Sequence, residues 1–430
     1  MDAHGLPTSG AHSRVTGTSP PRLLYVGEFP PSNHHGGAIL VKRLLDQHPA
    51  GYLTVITSRI GMKASQPTGL LDCTHLVLPA FDRSRYFLIR KLMSAAHWLG
   101  LSWVAVRTIL EVKRRRVEAL LTIVQGRYYF AAAFAAWATA TPHITIVHDN
   151  FTSAHVSTSA PVRKVKRYLT RKILGNAAHI YAVSPEMQRL VWRECGAESE
   201  IQLPSTARPA QQLQIAHENG LVILFAGLIG YTVRDSLDLL ADLIKTGQLE
   251  KHGIFGARLH VCTALTKEDI AALGWDHEDI VCRGWVPQSE LPSVLASADI
   301  LFLPYSFLSG SRDAVETAFP SKTADYLAAG KPILVFGPKY SSLVRYASEQ
   351  GFAEVVHEFS PVALAQAIGK IACSSLYREQ LAARAIEVFS ANHNMKHQQL
   401  KFYLTLEDIL RPSRAKQRLA QAAKSQTSPN

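Results

Sequence analysis

An α/β fold built from two doubly wound domains is predicted by three features of this chain. Short runs rich in Leu, Ile and Val alternate with longer helix-like segments, the pattern of parallel sheets buried on both faces. That rhythm breaks once, at residues 203–220, where the sequence "LPSTARPAQQLQIAHENG" is polar and carries Pro, Gly and Ser. The 430 residues are 47% hydrophobic, enough for two cores of roughly 200 residues each.

Taken in order, the strands of the first domain are expected at "RLLYVGEF", "YLTVITS", "HLVLPA", "LLTIVQG", "HITIVHD" and "HIYAVS". After the break the rhythm restarts with "LVILFAG", "RLHVCT", "IVCRGWV", "DILFLPY", "PILVF" and "AEVV". The predicted division is a disordered leader over 1–21, a first domain over 22–202, a linker over 203–220 and a second domain over 221–390. A helix at 391–410 is expected to return to the first domain, followed by a basic flexible tail over 411–430. Two such sheets joined by a linker are expected to face a central cleft, with ligands beyond the carboxyl ends of the strands.

Lys and Arg outnumber Asp and Glu by 46 to 34, a formal charge of +12 that favours anionic partners. The five cysteines, Cys73, Cys195, Cys262, Cys282 and Cys373, form no C-x-x-C pair, so neither a disulfide framework nor a zinc ribbon is indicated, and a reduced, cytoplasmic setting fits. The stretch "LMSAAHWLGLSWVAV" at 92–106 is the most apolar but is flanked by Arg90, Lys91 and Arg107, so it reads as a buried or interfacial helix rather than a span. No nucleic-acid module is recognisable and the basic runs carry few interleaved aromatics, which argues against a nucleic-acid partner.

The loops after the strands are where chemistry is expected. His35, Gly36 and Gly37 stand just before a helix marked by Ile39, Leu40, Leu44 and Leu45. A glycine pair there admits close backbone approach to a ligand, with free helix N–H groups for an anion; a plain tight turn is the alternative. His148, Asp149 and Asn150 end another strand, either as ligand-facing groups or as turn formers with a locally satisfied histidine. In the second half Gly227 and Gly230 precede Arg234, whose planar fork suits a phosphate but equally suits a solvated helix start.

The stretch "FPSKTADYLAAGKPILVFGP" at 319–338 is the most informative. Pro320 and Ser321 read as a helix start, with Pro in the first turn and Ser able to cap. On a helical wheel Lys322, Asp325, Tyr326 and Ala329 share one polar face, while Ala324, Leu327 and Ala328 face the sheet. The charged pair is either a weak surface ion pair or a ligand site, with Lys322 on a phosphate and Asp325 on sugar hydroxyls.

Together with "SADILFLPYSF", "RGWVPQSELPSVLASADI", "HIYAVSPEMQRLV", "TIVHDN" and "GEFPPSNHHGGAILVKRLL", this stretch resembles the nucleotide-sugar glycosyltransferases of the GT-B fold, in particular the retaining family 4. The resemblance runs from about residue 22 to 410 and implies two Rossmann-like domains, the first for the acceptor and the second for the donor. It implies that Gly37 lies in the glycine-rich loop, that His148 contacts the donor sugar, that Lys322 meets the diphosphate and that Asp325 binds the ribose. Gly284, Trp285 and Val286 are placed beside the base, and Gly227, Glu316, Thr317, Ser321 and Thr323 complete the donor set. Thr317 stands where the family carries the first glutamate of its E-x7-E motif, with Glu316 one position away, and the usual Arg and Lys pair after the second domain's first strand is missing.

Breaking a bond to a diphosphate builds negative charge on the leaving group, so positive charge and helix N–H groups are required. Lys322 and Arg234 are the candidates, with His148 as the third catalytic residue and His35, Gly36, Asp149 and Asn150 on the acceptor side. No D-x-D motif occurs, and no metal or other cofactor is expected. The expected partners are a nucleotide sugar and a glycan or lipid-linked glycan used in cell-surface polysaccharide synthesis. Basic clusters at Arg83 and Arg85, Arg90 and Lys91, 113–116 and 163–172 add an expected peripheral contact with an anionic membrane, at its inner face. A catalytically silent nucleotide- or partner-binding protein of the same shape is the alternative.

Overall fold

The computed structural model describes residues 19–33, 36–65, 69–79, 87–152, 160–207 and 220–412. His35, Arg83 and Arg85, most of the expected leader, residues 208–219 of the expected linker and nearly all of the expected tail lie outside the described residues. The chain divides into two compact units. One comprises Met1–Val183, Gln188–Gln202 and Lys396–Asn430; the other comprises Ser184–Met187 and Leu203–Met395.

The first unit holds a seven-stranded, wholly parallel sheet in the order β3-β2-β1-β4-β5-β6-β7. Its strands are β1 Leu23–Val26, β2 Leu53–Ser58, β3 Thr74–Leu78, β4 Ala119–Ile123, β5 His143–Val147, β6 His179–Ala182 and β7 Glu200–Ile201. The second unit holds a six-stranded parallel sheet in the order β10-β9-β8-β11-β12-β13. These are β8 Val222–Ala226, β9 Arg258–Cys262, β10 Ile280–Cys282, β11 Ile300–Pro304, β12 Ile333–Phe336 and β13 Ala353–Val356. Each is a doubly wound, Rossmann-like sheet whose strand order reverses beside its first strand, the place where ligands bind in such folds. Every strand expected from the sequence is present. Only β7 was not anticipated, because two residues are too few to carry a hydrophobic pattern.

Burial on both faces explains why the strands read as continuous apolar runs. All residues of β1, β2, β4, β5, β8 and β11 are buried, and the few polar ones among them find partners. Thr122 on β4 bonds the His143 ring at 2.9 Å and donates to Thr145 at 3.2 Å on β5. Burial pushes the His143 pKa down to about 4, so the imidazole is neutral at physiological pH.

The helices used below are α1 Gly36–Leu45, α2 Phe87–Arg115, α3 Tyr128–Thr139, α4 Ala160–Gly175, α5 Pro185–Cys195, α6 Arg234–Lys245, α7 Lys322–Ala329 and α8 Met395–Leu410. From Lys396 onward α8 belongs to the first unit. Phe402, Tyr403 and Leu406 are buried there. The Tyr403 hydroxyl pairs with His48 at 3.2 Å, and Gln399 donates to the Arg43 carbonyl at 2.6 Å.

Three local expectations need correction. Gly36 and Gly37 do not precede α1 but form its first turn. Ser321 makes no capping bond, since its φ of −60° and ψ of −30° are already helical and an N-cap side chain reaches back only from extended backbone. The start of α7 is closed instead by the Thr323 N–H donating to Pro320 O at 3.1 Å. Finally, the expected polar face of α7 is mixed, with Lys322, Asp325 and Ala329 half-buried. Tyr326 on that face is fully buried, because its hydroxyl accepts the Ala226 N–H at 2.8 Å and so satisfies the end of β8.

Candidate functional site: two strand rims

At the carboxyl rim of the first sheet, β1 leads towards α1 and β5 ends at His148. An ideal Cβ built on Gly37 would lie 2.8 Å from His148 Nε2, so only glycine lets the imidazole settle on the first turn of α1. His148 Nε2 is 3.0 Å from Asp149 Oδ2, while Nδ1 is buried without a partner in the protein. Burial disfavours the imidazolium, but the Asp149 carboxylate more than offsets it, and the His148 pKa lies above the usual histidine value. Asp149 is held below the usual carboxylate range by His148, while its own side chain is 62% exposed. Asn150 turns the chain, accepting from Thr152 N–H at 2.9 Å and from its hydroxyl at 2.7 Å. Gly36 is exposed at the same helix start.

At the rim of the second sheet, β8 runs into Gly227, whose φ of +147° is suited to glycine. A Cβ there would meet Lys322 Nζ at 2.8 Å. Lys322 opens α7, and its Nζ lies 3.8 Å from the centroid of the Phe225 ring, a cation–π contact. Among the described residues no carboxylate lies within ion-pair distance of this ammonium. Burial alone lowers the Lys322 pKa to about 7. Two hydroxyls, Thr263 Oγ1 after β9 and Thr323 Oγ1 on α7, are also buried without partners. An anion is the species that would match the Lys322 ammonium and such donors at this rim. Asp325, one turn along α7, is half-buried.

Arg234 is placed differently from the free phosphate ligand considered above. Its Nε donates to Asp238 Oδ1 at 2.7 Å and Oδ2 at 2.8 Å, and a terminal nitrogen reaches the Leu273 carbonyl at 3.3 Å. The guanidinium also lies over the ring of Trp275 at 5.5 Å, whose Nε1 donates to the same Asp238 at 2.8 Å. Its fork is therefore engaged in holding α6 to the buried Trp275. It also lines a cavity of about 390 Å³ with Ile229, Gly230, Tyr231 and Leu265.

Thr317 is buried, its hydroxyl donating to Asp313 O at 3.3 Å and its carbonyl accepting from Ser184 at 2.7 Å. Glu316 lies 3.9 Å from Arg312 with its side chain 42% exposed. Gly284 follows β10 with φ +70°, beside a 44% exposed Trp285 and a half-buried Val286. Sequence reasoning placed Gly37 with His148 and Gly227 with Lys322 at the rims but missed that each pair touches. Among the described residues no group of three or more His, Cys, Asp or Glu is arranged to hold a metal ion.

Comparisons with known proteins bear on the family and the fold. Residues 54–203 match the model of Glycosyltransferase Family 4, and residues 238–404 match that of Glycosyl transferase-like proteins. No curated protein matches the chain. Among solved structures, HepE of Anabaena in complex with UDP and glucose is similar at a TM-score of 0.61 and 12% identity, over 90% of this chain and 99% of that one. Sucrose-phosphate synthase from Thermosynechococcus elongatus is similar at 0.62 and 13%, over 91% and 99%. A trehalose-6-phosphate structure from E. coli bound with UDP-2-fluoro glucose gives 0.62 and 13%, over 91% and 99%. The structural likeness establishes the fold, the two family matches reach every strand of the two sheets except β1 and β8, and the chain is a glycosyltransferase of the GT-B type.

Proposed function

We propose that the protein moves a sugar from a nucleotide-sugar donor to a glycan or lipid-linked glycan, with retention and without a metal ion, in cell-surface polysaccharide synthesis. The observation that carries this reading is the ammonium of Lys322, set against the Phe225 ring beside Gly227 and, among the described residues, unmatched by a carboxylate. The cation pair that the family resemblance leads one to expect after β8 is missing, and Lys322 supplies a positive charge beside that loop from the start of α7. It stabilises the diphosphate as the glycosidic bond breaks, together with the N–H groups of the α7 first turn. Asp325 accepts from the ribose hydroxyls, and the backbone of Gly284, Trp285 and Val286 reads the base. Retention and the polysaccharide role follow from the resemblance alone.

On the first unit, His148 is the polar group that meets the donor sugar, oriented by Asp149 and seated on Gly37. The Asp149 pair favours the charged ring, the form in which Nδ1 donates to a sugar oxygen. Asp149, Asn150 and the start of α1 then belong to the acceptor side. UDP-sugars are the first donors to test, since the HepE structure holds UDP and glucose.

Incubating the protein with UDP-, GDP- and ADP-sugars tests this reading through donor hydrolysis. Slow release of nucleoside diphosphate from one donor, undiminished by EDTA, supports it. Binding without turnover, with or without an acceptor glycan, points to the silent binding protein that Thr317 in place of a glutamate makes conceivable.

A further inference from the structure

The crossovers from β3 to β4, β4 to β5 and β5 to β6 all move in one direction across the first sheet. Because such crossovers are right-handed, α2, α3 and α4 lie side by side on one face. That face is unusual for a surface facing water. On α4, Val162, Val165 and Tyr168 are each more than half exposed and recur at helical spacing. On α3, Phe134 and Trp137 pack with tilted rings at 5.7 Å between centroids, and Trp137 is 78% exposed. Trp103, Val106 and Leu110 continue the apolar surface on α2.

Charge separates the possible occupants. From Ala160 to Gly175, α4 carries six basic residues and no acidic one, so a partner must be anionic. Arg167 and Arg171 are spoken for, both bonded to Glu194 of α5. Lys164 and Lys172 are exposed, and neither has a carboxylate partner among the described residues; Lys172 instead lies over the Tyr168 ring at 5.9 Å. Isolated apolar side chains set among cations with long stems suit a lipid interface. There the rings and branched side chains enter the acyl boundary while the ammonium groups stay with the phosphates. A second copy of this chain would bring the same cations together and repel.

We infer that the face formed by α2, α3 and α4 docks on a bilayer containing anionic lipids, with Val162, Val165, Tyr168 and Trp137 entering the interface and Lys164 and Lys172 binding headgroup phosphates. This rests on the reading of a lipid-linked acceptor given above and goes further by assigning the surface.

Vesicle co-sedimentation of the full chain tests it, using phosphatidylcholine vesicles with and without phosphatidylglycerol. The variants are Trp137→Ala with Tyr168→Ala, and Lys164→Glu with Lys172→Glu. All four side chains are exposed, so folding is expected to survive, with thermal melting as the check. Expected are binding that requires the anionic lipid and weakens with salt, and a loss of tenfold or more in partition for each double variant. Donor hydrolysis should be unchanged in both. Binding that ignores lipid charge, or survives both double variants, overturns the assignment, as does lipid-free self-association abolished by Trp137→Ala. If vesicle binding fails while donor hydrolysis stands, this inference falls and the transferase reading does not; loss of hydrolysis in the wild type is the opposite case.

Discussion

With its ammonium 3.8 Å from the centre of the Phe225 ring, Lys322 has given up much of its hydration, which makes its protonation a variable of donor binding. Burial lowers its pKa to about 7, and a diphosphate favours the charged form and raises that pKa in the complex. Donor affinity should therefore be greatest below pH 7 and fall as pH rises through it, a trend that titrations of UDP-sugar at several pH values will follow. For the free protein the sign reverses. Between pH 7 and the ordinary lysine range the unfolded chain holds a proton that folded Lys322 has shed, so stability rises with pH as far as this group is concerned. Lys322→Met should remove both slopes. At the other rim, Gly37→Ala puts a methyl 2.8 Å from His148 Nε2; the ring must shift, and turnover should fall on the order of a hundredfold while the melting temperature changes little. The types of these residues were legible in the sequence, but their contacts were not. Gly37 reads as any loop glycine until the imidazole of a distant strand end is seen resting on it, and Arg234 reads as a free cation until Asp238 and Trp275 are seen to hold it.

Among the elements, α7 buries Ala324, Leu327 and Ala328 as its helical wheel predicts, and departs from the wheel at one residue. Its Lys322, Asp325, Tyr326 and Ala329 side reads as a polar face, yet Tyr326 is buried with its hydroxyl on the Ala226 N–H. One hydrogen bond satisfies both polar groups, and the helix can then be buried on two sides. Tyr326→Phe leaves a buried N–H without an acceptor and should destabilise the second unit by about 1–3 kcal/mol, read as a lowered urea midpoint. Because this bond docks α7 on the end of β8, the same change should also weaken donor binding through Lys322. The strands, by contrast, were readable almost completely, since burial on both faces leaves an unbroken apolar run that no loop imitates. β7 escaped only because its pairing involves two residues.

The whole molecule is two Rossmann-like units of which the first is completed by a distant piece of chain. Helix α8 returns there after the second unit has been traversed. It is fastened by Tyr403 on His48, Gln399 on Arg43 and Gln398 on Gln202. A chain ending at Asn394 should thus lose stability in the first unit although all its strands remain; limited proteolysis of that truncation, compared with the intact chain, is the check. The unit boundary between Gln202 and Leu203 falls where the composition changes, whereas the short segment Ser184–Met187, which clusters with the second unit, carries no signal of that kind. The Ser184 hydroxyl on the Thr317 carbonyl and Glu186 with Arg345 at 3.2 Å hold it there.

The central claim is that Lys322 at the rim of β8 binds the diphosphate of a nucleotide sugar. The most direct measurement is thermal stabilisation and donor hydrolysis across UDP-, GDP- and ADP-sugars, for the wild type and for Lys322→Ala. Stabilisation and slow hydrolysis by one donor, both lost in the variant with at least a hundredfold fall in rate, is the predicted result. No response to any donor, or a response that Lys322→Ala leaves intact, would contradict it.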